Sequence, residues 1–247
     1  MFRRLFATAL AVVVAVVVSA AVRATPALAY DCSVEYGVFM GMTNSSGGVI
    51  TNSIGAINNI TLHDHMLGCG GTGQTTRILL GGQPGNWAEV GWKEKFCGSS
   101  HCFVVFTESQ YTDSSGTHPH HVELTSYNGV DFTHCLVSGS TLVFKILMNG
   151  NGTATGYINC LDGTGPHAAG PSIPTGQYNS GNPEGEEFRH QGDGIKETHS
   201  GLQYRDSAGA WHYSGGVYQR HTSQDDPCWA GEQLSATSFD LKQISCF

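Results

Sequence analysis

The chain has 247 residues, of which 12 are Lys or Arg and 20 are Asp or Glu, so its formal net charge is −8. An acidic chain without a cluster of Lys or Arg is poorly suited to bind nucleic acid or an anionic membrane surface, and neutral, cationic or sugar-like partners are expected instead. No sequence feature predicts a cofactor.

The first 29 residues form a predicted secretory signal peptide. Two arginines precede an apolar run over residues 5–22, and Ala27-Leu28-Ala29 places small residues at positions −3 and −1 of a cleavage site. A membrane anchor is the alternative, but Arg23 interrupts the run and no later stretch is apolar enough to span a bilayer. The sequence therefore predicts a secreted, extracellular protein, free of the membrane after cleavage, with one domain over residues 30–247.

Alternation of apolar and polar residues with a period of two predicts β-strands along most of this domain. In chain order, the predicted strands cover residues 34–40, 87–92, 103–106, 141–148, 153–160, 201–205, 211–219 and 236–243. Ser53 to Leu67 is the one predicted helix, because Ile54, Ile57 and Ile60 lie near helical register, although Gly55 disfavours it.

Two segments between these strands carry turn and loop signals. Asn149-Gly150-Asn151-Gly152 predicts a tight hairpin turn, because Asn and Gly tolerate the positive φ of a type I′ turn. Residues 162–185 are rich in Gly and Pro and predict a long loop within the domain. The whole pattern predicts an all-β fold, an antiparallel β-sandwich of the jelly-roll, concanavalin-like type, stabilised by disulfides.

All eight cysteines lie after residue 29, and an even number in an exported chain predicts four disulfides. The sequence allows many pairings, and we favour bridges between neighbours in sequence. These are Cys32–Cys69, Cys97–Cys102, Cys135–Cys160 and Cys228–Cys246. A zinc site is not predicted, because the chain contains no Cys-x-x-Cys pair.

Two histidine groups suggest a metal site, since an i, i+2 pair on a strand points to one face. These groups are His63-Asp64-His65 and His118-Pro119-His120-His121. Neither has a carboxylate at the spacing of a cupin site, and the chain has no His-Glu-x-x-His motif. Polar loop residues are therefore the favoured interpretation, and no metal is predicted.

Paired carboxylates and exposed aromatic residues are the remaining candidates. A glycoside hydrolase or a glutamic peptidase needs two carboxyl groups that face each other across a groove, one of them kept protonated by apolar surroundings. Aromatic rings, in turn, stack on sugar rings. The aromatic candidates for ligand binding are Trp211, Tyr213, Tyr218 and Trp229. For Trp211, core packing is favoured over a role in a site, and Trp229 is expected to be more exposed than Trp211.

Three short segments together resemble the neprosin family. They are Asn86-Trp87-Ala88-Glu89-Val90-Gly91-Trp92, the aromatic strand Phe103–Glu108, and Gly185-Glu186-Glu187. The resemblance implies a concanavalin-like sandwich and the activity of a glutamic endopeptidase that uses two glutamates. The chain departs from the family in length, because it has no room for a propeptide in addition to a full catalytic domain.

By motif position, the resemblance implies that Glu186 or Glu187 is one catalytic glutamate, with Glu89 as the nearest candidate for its partner. The sequence contains no nucleophile elbow, and its cysteines are expected to be bridged. We therefore favour a binding module for extracellular glycan or cell-wall polymer. A hydrolase with paired glutamates is the alternative, and a structural extracellular protein is the third possibility.

Overall fold

A computed structural model of the chain describes residues 35–62, 71–190, 198–222, 225 and 228–243. All regular structure in these residues is β. The eighteen strands are β1 (Glu35–Thr43), β2 (Gly55–Thr61), β3 (Thr72–Leu80), β4 (Trp87–Cys97), β5 (Ser100–Asp113), β6 (Gly116–Leu124), β7 (Ser126–Tyr127), β8 (Val130–Asp131), β9 (Thr141–Met148), β10 (Thr153–Asn159), β11 (His167–Ala168), β12 (Ile173–Pro174), β13 (Gly181–His190), β14 (His199–Arg205), β15 (Trp211–Tyr213), β16 (Gly216–Arg220), β17 (Trp229–Ser235) and β18 (Ser238–Gln243).

The strands form two large antiparallel sheets packed face to face. The first sheet has seven strands in the order β16-β1-β13-β3-β4-β5-β6, and the second has nine, centred on β10-β9-β2-β14-β18. Side chains that alternate inward from both sheets form one hydrophobic core, in which Trp92, Phe144 and Phe239 are fully buried. The predicted antiparallel β-sandwich is therefore confirmed.

The prediction of a helix over Ser53–Leu67 is wrong, because residues 55–61 form the strand β2 in the middle of the second sheet. Along β2 the buried side chains are Ala56, Asn58 and Ile60, a period of two. The three-residue spacing of the isoleucines imitated helical register, whereas pairing with β9 and β14 satisfies the backbone as a strand.

The other local predictions hold to different degrees. β9 and β10 pair as predicted across Asn149–Gly152, where Gly150 has φ of 75° and Gly152 has φ of 77°. The predicted loop over residues 162–185 is shorter than expected. β11 and β12 lie within it, both pair with β10, and β13 already begins at Gly181.

Two of the four predicted disulfides lie within the described residues, and both form. Cys97–Cys102 joins β4 to β5, and Cys135–Cys160 joins the segment before β9 to the end of β10. Cys228 is also disulfide-bonded, and its predicted partner, Cys246, lies outside the described residues. The Cys32–Cys69 pair and the predicted signal peptide lie outside them too. In the described part of the chain, no helix has the length and apolar character needed to cross a membrane.

Candidate active site

The outer face of the seven-stranded sheet, the face turned away from the core, carries a groove with a cavity of about 130 Å³. Its floor is formed by neighbouring strands β13, β3 and β4, and β1, β5 and β6 add to its walls. The groove is lined by Glu35, Arg77, Trp87, Glu89, Lys93, Phe106, Glu108, His121, Glu186 and Phe188. It therefore concentrates acidic and basic side chains between aromatic walls.

Strand register brings three of these residues together. Glu186 on β13 lies opposite Thr75 on β3, and Glu89 on β4 lies opposite Arg77 on β3. Thr75 and Arg77 are two residues apart, so their side chains share one face of β3, and residues opposite each other across an antiparallel pair share a face as well. Glu186, Arg77 and Glu89 consequently project into the same groove.

The carboxyl groups of Glu89 and Glu186 form a pair on either side of the Arg77 guanidinium. Arg77 Nη1 lies 2.5 Å from Glu186 Oε2 and 3.7 Å from Glu89 Oε2. Thr75 Oγ1 donates to Glu89 Oε2 at 3.5 Å. Burial, followed by the negative charge of Glu186, raises the pKa of Glu89 well above its usual range. Burial and the neighbouring carboxylate therefore both favour the protonated form of Glu89.

Arg77 is almost completely buried, which is unusual for an arginine. Burial disfavours its charge, but the surrounding glutamates outweigh that effect and raise its pKa. The guanidinium also lies over two rings, with its carbon 5.0 Å from the centre of Phe39 and 4.7 Å from that of Trp87. A permanently charged guanidinium is thus fixed next to the carboxyl groups of Glu89 and Glu186.

The mouth of the groove carries a second set of charged groups. Glu35 is exposed there, and the pKa of its carboxyl rises to about 7, first because the groove desolvates it and then because Glu186 and Glu108 add negative charge. His121 Nδ1 lies 2.5 Å from a Glu108 oxygen and His121 Nε2 lies 2.9 Å from Glu123, contacts that raise the pKa of His121. Glu123 in turn pairs with Lys93. These contacts neutralise most of the charge at the mouth.

The structure separates two glutamates that the sequence left as alternatives. Glu186 enters the groove next to Glu89, whereas Glu187, the next residue, lies opposite Gln74 and is buried on the core side of the sheet. Side chains alternate along a strand, so both residues cannot reach the groove. Of the three glutamates expected from the sequence, the structure brings Glu89 and Glu186 together.

The four aromatic candidates for sugar binding do not form one surface. Trp211 and Tyr213 lie on β15 and Tyr218 lies on β16, strands of different sheets. Trp229 is half-buried, packs against the core and stacks with the Arg189 guanidinium, so it is less exposed than expected from the sequence. Tyr213 is the most exposed of the four at 66%. A sugar-binding platform therefore has no support from their arrangement.

The histidine groups give no metal ligands in the described residues. His118 contacts Asp113 and Ser115 in a turn, and His63 and His65 lie outside the described residues. His134, Cys135 and Cys160 come within 4.8 Å of one another, but the two sulfurs are bonded to each other. A bridged sulfur is not the thiolate that a metal requires.

Sequence reasoning missed Arg77 and Glu184. The available signal was Arg77 itself, a lone charge in the strand Thr-Gly-Gln-Thr-Thr-Arg-Ile-Leu-Leu, whose nine residues are all buried. A buried cation in a strand requires buried anions on adjacent strands. That rule would have pointed to glutamates on β4 and β13, although not to which ones.

Comparisons with known proteins agree with this architecture. Models of protein families give no match, and a search of curated proteins gives none either. Among solved structures, scytalido-glutamic peptidase with a transition-state analogue inhibitor matches with a TM-score of 0.57 at 8% identity, over 85% of this chain and 98% of that one. SCP-B, a member of the eqolisin family of peptidases in a complex with the tripeptide Ala-Ile-His, matches with a TM-score of 0.52 at 7% identity over the same shares.

A second structure of scytalido-glutamic peptidase, with a peptide-based transition-state analogue, matches with a TM-score of 0.51 at 7% identity. At these identities the likeness shows a shared β-sandwich fold. The resemblance to neprosins is not confirmed by these comparisons.

Proposed function

We propose that the protein is a hydrolase of the glutamic-peptidase type, which cleaves peptide bonds with Glu89 as general acid and Glu186 as general base. The observation that carries this proposal is the pair of buried carboxyl groups in the groove, in which Glu89 and Glu186 contact the same Arg77 nitrogen at 3.7 Å and 2.5 Å. The fold shared with glutamic peptidases supports it. The leading interpretation of the sequence, a carbohydrate-binding module, has no comparable support.

The protonation of the two carboxyl groups fits a peptide substrate. Burial and the charge of Glu186 raise the pKa of Glu89, and both carboxyl groups contact the same Arg77 nitrogen. A pair of neighbouring carboxyl groups that holds one proton is the arrangement used by aspartic proteases to hydrolyse peptides.

The chemistry follows from the protonation of this pair. The Glu186 carboxylate takes a proton from a water whose oxygen attacks the scissile carbonyl carbon, while Glu89 gives its proton to the carbonyl oxygen. The resulting tetrahedral intermediate then collapses. The C–N bond breaks as Glu186 passes its proton to the leaving nitrogen, and Glu89 recovers a proton from the hydroxyl. Both residues return to their starting states.

Other residues of the groove fit this reaction. Trp87 lines the same groove, and its ring packs against the Arg77 guanidinium that contacts both carboxyl groups. Phe106 and Phe188 offer apolar surface to substrate side chains. The site is proposed to act outside the cell, as the predicted signal peptide and the disulfides suggest.

The test is hydrolysis of an unfolded protein by the full chain, purified after export, from acidic to neutral pH. Loss of the general acid in Glu89→Gln or of the base in Glu186→Gln should lower kcat roughly 10²- to 10⁴-fold. Glu232→Gln, the same change at an exposed position of β17, is the matched control. Unchanged turnover in both folded groove variants would refute the proposal, as would the absence of any hydrolysis by the folded wild type.

A further inference from the structure

Arg77 also contacts a second group of charged side chains, apart from the carboxyl pair. Glu184 lies two residues before Glu186 on β13, on the same face, and is completely buried. Arg220 on β16 donates to it through both Nε and Nη2, at 2.7 Å and 3.0 Å. This two-pronged contact between a guanidinium and a carboxylate is both strong and geometrically specific.

Glu184 also interacts with Arg77, whose Nε lies 4.0 Å from Glu184 Oε2. The Phe39 ring on β1 lies between the two arginines, with the Arg77 carbon 5.0 Å and the Arg220 carbon 4.5 Å from its centre. Arg77 is therefore held by an anion and by aromatic rings, independently of the carboxyl pair that it contacts.

The charges of this cluster balance when it holds a single proton. Arg77 and Arg220 supply two positive charges, and Glu89, Glu184 and Glu186 supply up to three negative ones. A buried cluster is most stable when it is neutral, since an uncompensated buried charge is poorly solvated. Arg77 Nη1 is closer to Glu186 than to Glu89, so Glu186 is the better site for the negative charge and Glu89 for the proton.

We propose that Glu184 and Arg220 are positioning residues, which hold Arg77 against Glu186 and thereby keep the proton of the pair on Glu89. This inference rests on the proposed function, because it explains why Glu89 is the acid and Glu186 the base. Neither Glu184 nor Arg220 lines the groove cavity, so both act through Arg77.

The groups around the Glu89 carboxyl come from every strand next to it, and none of them is substituted in the Glu184 and Arg220 variants below. They are Thr75 and Arg77 on β3, Glu186 on β13, Lys93 on β4, Glu108 on β5, His121 on β6 and Glu35 on β1. Any displacement of the pH profile therefore reports the removal of Glu184 or Arg220.

The test is the pH dependence of kcat in two variants with opposite changes of charge. Activity needs protonated Glu89, so it is lost as the pH rises through the pKa of that carboxyl. Glu184→Gln removes a negative charge, makes ionisation of Glu89 easier and should move this alkaline limb to lower pH by about one unit. Arg220→Met removes a positive charge and should move the limb to higher pH by about one unit.

The double variant Glu184→Gln/Arg220→Met should return the limb close to its wild-type position, because its net charge is that of the wild type. It also guards against misfolding of Arg220→Met, which leaves Glu184 buried without its main partner.

Arg220→Lys keeps the charge but not the two-pronged contact. It should lower kcat while leaving the limb in place. Limbs that stay fixed, or that move in the same direction in both single variants, would overturn the proposal.

A measurement without substrate separates this inference from the proposed function. Difference infrared spectroscopy detects a protonated carboxyl group, and Glu89→Gln identifies the signal of Glu89. If no peptide is hydrolysed but this signal titrates at lower pH in Glu184→Gln and at higher pH in Arg220→Met, the proposed function fails and the positioning role stands. A protonated-carboxyl signal that disappears in Glu186→Gln, and persists in Glu89→Gln, would refute the placement of the proton.

Discussion

Glu186 and Glu187 are adjacent in the chain, yet they lie on opposite faces of β13. Glu186 contacts Arg77 in the groove, and Glu187 is buried between the two sheets opposite Gln74. One step along a strand thus separates a candidate catalytic group from a residue of the interior.

This separation predicts that the two glutamates respond differently to the same substitution. Glu186→Gln should lower kcat roughly 10²- to 10⁴-fold while the protein stays folded, because amide nitrogen and oxygen replace the carboxylate at nearly the same volume. Glu187→Gln should keep kcat and change mainly the free energy of unfolding. Steady-state kinetics together with thermal unfolding of both variants distinguish these effects. A folded Glu187→Gln protein without activity would contradict the assignment.

The core beneath the groove contains a neutral histidine. His199 is fully buried, and burial lowers its pKa to about 3. Trp92 Nε1 donates to Gln74 Oε1, so the Gln74 amide nitrogen donates to His199 Nε2, and His199 Nδ1 contacts the Asn58 side-chain amide. This network accommodates the neutral ring, because a protonated ring would need an acceptor at both nitrogens.

The free energy of unfolding should therefore decrease at acidic pH. The pKa of His199 is lower in the folded than in the unfolded protein, so its stabilising contribution is complete above about 6.5 and is lost as the pH falls towards about 3. Within this window His199 should contribute a slope of up to about 1.4 kcal/mol per pH unit. Denaturant unfolding at several pH values measures this slope. His199→Gln has no ring to titrate and should show a smaller slope, and equal slopes would contradict the prediction.

Gly185 lies between Glu184 and Glu186 in the chain. It faces the core, whereas the two glutamates lie on the outer face of β13. A Cβ at this position would come within 2.8 Å of the Phe239 ring and 3.1 Å of His199 Nδ1. Gly185→Ala should accordingly destabilise the fold by about 1–3 kcal/mol through overpacking, and the shift of β13 should reduce hydrolysis as well. Unfolding curves and kcat measure the two effects. A variant as stable and active as the wild type would contradict this prediction and show that Phe239 and His199 can shift without cost to accommodate the methyl group.

The two described disulfides should differ in their contributions to stability. Cys135–Cys160 closes a segment with a sequence separation of 25, and Cys97–Cys102 closes one of only 5. On the loop-entropy account, paired replacement by Ala should cost about 3.5 kcal/mol at the first bridge and about 2 kcal/mol at the second. Urea unfolding of both double variants gives the comparison. A larger loss at Cys97–Cys102 would mean that its contacts in the folded state outweigh the loop entropy.

Much of the fold could be predicted from local patterns. Alternation identified the strand that carries Glu89 and the hairpin at Asn149–Gly152, because side-chain period and turn chemistry are properties of adjacent residues. The helix predicted at Ser53–Leu67 failed for the complementary reason. Its short segment is compatible with both periods, and pairing with β9 and β14 decided between them.

The candidate site depended on the tertiary structure, because its members come from strands that are distant in sequence. By itself the sequence determined the antiparallel sandwich, the two described bridges between neighbouring cysteines and a short set of glutamates that included Glu89 and Glu186. Only the sheet order β13-β3-β4 placed those two on either side of Arg77. Non-local strand pairing sets which side chains share a face, and burial beside that cation then sets which carboxyl keeps its proton.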